Sequence, residues 1–122
     1  MELKEGMYVR INNNVRKICI GIGKVVKIFN DTVFVKISKF DSPISFEKDE
    51  ISDFKNNIIG LIEEGDYVNG VEVIGKEFDN FNKEYLQCGV GDYVICTFEV
   101  KDIKTILTKE QFESQKYIVE SE

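Results

Sequence analysis

The chain has 122 residues, 43% hydrophobic and 31% charged, the balance of one folded domain or two very small ones rather than of a disordered segment. Its net charge is −6, and only two of its 16 basic residues are arginine. That excludes a general nucleic-acid binder, whose affinity comes from lysine and arginine neutralising phosphates. With no histidine, and three cysteines without a C-x-x-C pair, it also lacks the donor pattern of a zinc site.

Apolar runs reach about five residues, far short of the roughly 20 that a membrane-spanning helix needs. The opening Met1-Glu2-Leu3-Lys4-Glu5 carries charges where a signal peptide has its apolar core, so a cytoplasmic protein is expected. Cys19, Cys88 and Cys96 then read as reduced, buried thiols, although Cys88 and Cys96 could lie on neighbouring strands.

Taken in order, residues 5–11 open with a turn glycine and then alternate. Met7, Val9 and Ile11 face one way, Tyr8 and Arg10 the other. Asn12-Asn13-Asn14 is a turn, because asparagine tolerates positive φ and bonds its own backbone. Residues 15–22 read as a strand, with Gly21 and Gly23 marking a bulge or bend. Residues 24–29 and 32–37, separated by Asn30-Asp31, form the clearest hairpin. After the loop at Pro43, residues 44–47 alternate again, and Lys48-Asp49-Glu50-Ile51 turns into a short closing strand.

An apolar joint at residues 58–62 leads through Glu63-Glu64-Gly65 into Asp66-Tyr67-Val68. Asn69-Gly70 is a preferred hairpin dipeptide and introduces residues 71–74. Residues 78–83 form a turn region, 84–88 a strand, 89–92 a turn and 93–99 the longest strand of this half. Thr108, with Gln111 three residues on, makes a capping box for a two-turn helix at about 109–115. Tyr117-Ile118-Val119 closes the chain as a strand or docking segment.

The halves repeat. Glu5-Gly6-Met7-Tyr8-Val9 returns 59 residues later as Glu64-Gly65-Asp66-Tyr67-Val68. Phe46-Glu47-Lys48-Asp49-Glu50-Ile51 returns 52 residues later as Phe98-Glu99-Val100-Lys101-Asp102-Ile103, so loops inside the second copy are shorter. Short strands at this spacing leave no room for crossover helices. The expected fold is all-β: two tandem small SH3-like or Tudor-like barrels, residues 1–57 and 58–122, with one short C-terminal helix.

No catalytic constellation stands out. Gly21-Ile22-Gly23-Lys24 lacks the spacing of a phosphate loop, and there is no histidine to activate a nucleophile. No cofactor or metal is expected, and the chain does not read as an enzyme. The side chains best suited to a ligand are Tyr8, Arg10, Asn13 and Arg16. An arginine fork beside a ring suits a nucleotide or a carboxylate, and Arg10 and Arg16 facing each other would need an anion between them. Tyr67 and Tyr93 offer a similar aromatic surface in the second half. Units this small also suggest a homo-oligomer.

Residues 59–70, Ile-Gly-Leu-Ile-Glu-Glu-Gly-Asp-Tyr-Val-Asn-Gly, together with 102–113, Asp-Ile-Lys-Thr-Ile-Leu-Thr-Lys-Glu-Gln-Phe-Glu, carry a resemblance. They resemble small phage and prophage proteins of Gram-positive bacteria, most specifically through Thr-Lys-Glu-Gln-Phe-Glu. The resemblance covers mainly the second half and brings neither an activity nor site residues. It implies a phage protein in the cytoplasm of an infected cell. In that setting the expected role is counter-defence binding, of a small nucleotide signal or a host defence protein. The alternative is a structural or adaptor module in phage assembly or transcription.

Overall fold

The computed structural model describes residues 2–12, 19–38 and 40–115. The chain forms two antiparallel five-stranded sheets and one short helix. Strands β1 (Tyr8–Ile11), β2 (Gly21–Phe29), β3 (Thr32–Lys36), β4 (Ile44–Glu47) and β5 (Asp53–Lys55) lie in the order β4-β3-β2-β1-β5. Strands β6 (Tyr67–Val68), β7 (Val71–Phe78), β8 (Glu84–Val90), β9 (Tyr93–Phe98) and β10 (Ile106–Leu107) lie in the order β10-β6-β7-β8-β9. The two orders are the same plan: the first strand of each half sits between the second and the last. Neither ladder closes, so β4 and β9 remain outer edges.

The repeat extends to single hydrogen bonds. Gly6 and Gly65 both hold positive φ (+87° and +95°), a turn that costs glycine little. Gly6 N donates to Val25 O at 2.8 Å, and Val25 N to Met7 O at 2.9 Å. In the second half Gly65 N donates to Val73 O at 2.9 Å, and Val73 N to Asp66 O at 2.7 Å. A bulge follows each valine, between Val25 and Lys27 and between Val73 and Gly75. A one-turn 3-10 helix follows each edge strand, capped by reciprocal bonds between Glu47 and Glu50 and between Glu99 and Asp102.

Local chemistry sets the turns. Phe29 pairs with Thr32 across Asn30-Asp31, with Asn30 at φ +56°. Asn69 (+53°) and Gly70 (+83°) both adopt positive φ, the tight hairpin that matches strand twist. The strand expected at residues 15–22 is corrected at its end, since Cys19 and Ile20 lie in no strand and β2 begins at Gly21 and runs to Phe29. The bulge expected at Gly21 and Gly23 falls at Val26 instead. Residues 13–18 and the expected segment at 117–119 lie outside the described residues.

Each half has its own core. Val9, Ile11, Val25, Val33, Val35 and Phe46 centre the first; Ile59, Ile62, Val68, Val73, Leu86 and Cys88 centre the second. Each fully buried aliphatic or aromatic side chain contributes about 1.5–3 kcal/mol, so each cluster has a substantial driving force. Ile22 of β2 crosses to pack against the second cluster. The halves are joined by a 3-10 helix, Ile58–Leu61, whose first turn is capped by Asn57 accepting from Ile59 N at 3.2 Å.

The capping box is formed as the sequence suggests. Thr108 Oγ1 accepts from Gln111 N at 3.1 Å, and Gln111 Oε1 from Thr108 N at 2.8 Å, starting helix α1 (Lys109–Gln115). No helix among the described residues is long and apolar enough to cross a membrane.

Candidate functional site

Strand β1 decides where a site can form, because both its faces are used. Val9 and Ile11 enter the first core, and the opposite face, with Tyr8 and Arg10, turns toward the second half. Arg10 is 0% exposed. Its Nη1 donates to Asp66 Oδ2 at 2.6 Å and to Leu61 O at 2.9 Å. Its Nη2 donates to Asp66 Oδ1 at 2.8 Å and to Glu110 Oε1 at 2.7 Å. Nε lies 3.4 Å from Glu63 Oε2, outside hydrogen-bonding geometry.

Burial alone would lower the pKa of this guanidinium. The Asp66 carboxylate, and then Glu110, outweigh burial and hold its proton more firmly than water does. Asp66 is itself 0% exposed and also accepts from Glu63 N at 2.8 Å and Lys109 N at 2.9 Å. One arginine thus ties β1, the turn before β6 and the first turn of α1 together. The anion expected beside Arg10 comes from the chain itself, and the fork has no face open to a ligand. Across the ladder the partners of Arg10 are Ile22 on β2 and Asp53 on β5; the expected pairing with Arg16 lies outside the described residues.

Tyr8, the other residue on this face, is half-buried. It lines a groove of about 560 Å³ to which both halves contribute: Ile22, Lys24 and Lys36 from the first, Ile103, Lys104 and Ile106 from the second, with Gln111 of α1. Among the described residues three lysines line it and no carboxylate does. Lys24 Nζ stands 5.6 Å from the centre of the Tyr8 ring. Lys36 Nζ donates to the carbonyls of Ile37 and Phe40. Among the described residues none of these lysines forms an ion pair, although the chain as a whole is acidic.

The wall carrying Lys104 is fixed by one asparagine. Asn69 Oδ1 accepts from Lys104 N at 2.8 Å and Thr105 N at 3.1 Å, while its Nδ2 donates to Asp102 O at 2.8 Å. Gln111 of α1 also lines the groove, and its amide would lie 2.8 Å from a Cβ added at Gly21, whose φ of +141° favours glycine. The result is an apolar floor (Ile20, Ile22, Ile106), a tyrosine ring and three positive charges.

A larger cleft, about 730 Å³, is lined by Lys55, Phe78, Lys83, Glu84, Glu99 and Lys101 among others. Its charges are mixed, and Lys101 pairs with Glu99 at 3.4 Å. Size favours this cleft. Net charge favours the groove at Tyr8, and charge is what selects an anion.

Of the remaining sequence candidates, Tyr67 and Tyr93 do not converge on Tyr8. Tyr67, at the matching position of the second half, stacks on Phe112 of α1 with ring centres 5.4 Å apart. Tyr93 stands 82% exposed on the edge strand β9. Asn13 and Arg16 lie outside the described residues. Lys24, Lys36 and Lys104 escape sequence reading because they come from two strands and a loop that meet only when the halves pack. No family model matches the chain, and neither a curated protein nor a solved structure matches it.

Proposed function

We propose that this chain is a non-enzymatic binding protein that captures a small anion bearing a flat ring, with a nucleotide as the ligand class, in the groove between its halves. The observation that carries this reading is the groove's charge: among the described residues three lysines stand beside a tyrosine ring and no carboxylate lines it, in a chain of net charge −6. Lysine ammonium groups would meet the phosphate, and Tyr8 would stack on the base. Among the described residues the lining carries no histidine, cysteine or carboxylate to move a proton, which favours capture over turnover.

The strand order of each half, with its bulged second strand and the 3-10 turn before the last, supports reading each as a small SH3-like barrel plan. The phage resemblance supplies a setting, the cytoplasm of an infected cell, where sequestering a nucleotide signal would act as counter-defence. The alternative, a protein-binding role against a host defence protein or as an adaptor, draws its support from the exposed apolar strand β9.

Thermal unfolding against a panel of linear and cyclic nucleotides tests the first reading. A ligand at 100 times its Kd stabilises by about 2.7 kcal/mol, and Lys104→Glu or Tyr8→Ala should abolish that shift without changing the unliganded melt. A panel without a shift, or a shift indifferent to both substitutions, would overturn it.

A further inference from the structure

The three cysteines divide unevenly between the halves. Cys19 belongs to the first core, while Cys88 and Cys96 share the second. Cys88 on β8 and Cys96 on β9 stand directly opposite each other in the antiparallel ladder, next to the pairs Gln87–Thr97 and Leu86–Phe98. Directly opposed residues have Cα atoms about 4.5 or 5.5 Å apart and side chains on one face, and a disulfide spans Cα separations of about 4.4–6.8 Å. The backbone is thus already placed for a bond between the two sulfurs, which are both free thiols. Packing does not call for sulfur here. The matching pair of the first half, Val35 and Ile44, repeats the same burial with aliphatic side chains, the inner residue buried and the outer one half-buried.

We infer that Cys88 and Cys96 form an oxidative modification site, at which hydrogen peroxide closes a reversible disulfide between β8 and β9. Cys96 is half-buried and is the sulfur that a small oxidant reaches, whereas Cys88 is 0% exposed. The Cys96 thiolate attacks the peroxide, the O–O bond breaks, and Cys96 carries a sulfenic acid while one water leaves. The Cys88 sulfur then attacks the Cys96 sulfur, the S–O bond breaks, and hydroxide leaves with the Cys88 proton as a second water. Two electrons pass from the two sulfurs to the peroxide oxygens, so the step needs no other oxidant. Burial, and then the neighbouring Cys96, keep the Cys88 thiol protonated, which guards it from oxidants in solution. Held by the ladder against the sulfenic acid, it needs only a brief ionisation to react, because the attack is intramolecular.

The test exposes the folded full-length chain to hydrogen peroxide, blocks the remaining thiols with an alkylating reagent, and reads the intact mass and the unreduced peptide map. The chain should lose two hydrogens, about 2 Da, with Cys88 joined to Cys96, and dithiothreitol should restore both thiols. Cys88→Val gives that position the side chain of the first half and removes the resolving sulfur. A 1,3-dione that traps sulfenic acids should then label Cys96 about tenfold more than in the wild type, because nothing consumes the intermediate. A wild-type chain that keeps both thiols would overturn the inference, as would a link through Cys19 or between chains. So would oxidation of Cys96 to the sulfinic acid without a link. Should Cys88→Val fail to fold, the peptide map of the wild type decides alone.

Discussion

The two halves share a strand plan and differ most where they touch. Met7 and Asp66 occupy one position of the repeat, after the glycine turn, and both are buried. In the first half that position is a core methionine; in the second it is the carboxylate that receives Arg10. Three residues on, Arg10 itself matches Asn69, which braces the wall of the groove. Tyr8 and Tyr67 also match, yet one ring lines an open groove while the other stacks on Phe112. Positions that merely repeat a fold in isolation become complementary once two copies pack, and the side chains there diverge into partners. The edges diverge as well, with β4 led in by Pro43 and β9 apolar.

The strongest way to break this complementarity is at Arg10. Arg10→Ala leaves Asp66 buried without its partner, and such losses cost about 3–5 kcal/mol. Chemical denaturation should show the midpoint collapsing, and the single transition expected of the wild type should separate into one for each half. A loss below about 1 kcal/mol would mean that the ion pair does not join them. Because the pKa of Arg10 is raised, its contribution is fully present below the ordinary arginine range and is lost only above it. This clamp therefore does not weaken through deprotonation of Arg10 near neutral pH.

The next effect is chemical and confined to one half. In the first half Val25 pairs with Val35, and Val35 with Ile44; the matching ladder is Val73, Cys88 and Cys96. Two thiols thus stand where the first half has an aliphatic pair, and both are free. Burial, and then the neighbouring Cys96, push the Cys88 thiol from 9.0 up to about 11. A raised thiol pKa favours the protonated fold, so stability from this residue holds below about 9 and falls as pH rises toward about 11. Two pKa units correspond to about 2–3 kcal/mol at most. Cys88→Val, which restores the side chain of the first half, should flatten the alkaline limb of a stability-against-pH curve. An unchanged limb would assign the loss to other groups.

Much of the fold was legible because its signals are local. Asn30-Asp31, Asn69-Gly70, the strand alternation and the Thr108–Gln111 box each act within a few residues, and the repeat exposed the common plan. The site was less legible, for a reason Arg10 makes plain. An arginine on the polar side of an alternating strand reads as solvent-facing, and nothing within 50 positions announces that Asp66 will cover it. The sequence calls for an anion between Arg10 and Arg16; the anion that Arg10 meets is Asp66, and its supply from the chain's other half is a tertiary fact. The lysines of the groove were hidden in the same way. Strand β2 was misjudged at its start because two glycines suggested a break that the ladder absorbs.

The smallest effect bears on the two tyrosines. Helix α1 has no counterpart after β5, and it is what places Phe112 beside Tyr67. Its start rests on Thr108, which is 0% exposed and whose hydroxyl accepts from Gln111 N. Thr108→Ala removes that cap at a cost of about 1 kcal/mol, within the usual range for such losses. The cost should appear chiefly as fraying of α1, since Asp66 still accepts from Lys109 N and Glu110 still meets Arg10. A reagent that modifies accessible tyrosine rings should then reach Tyr67 faster than in the wild type, while its rate at Tyr8 stays the same. If both rates rise together, the helix is holding the halves in place rather than covering one ring, and the difference between the tyrosines would belong to the junction as a whole.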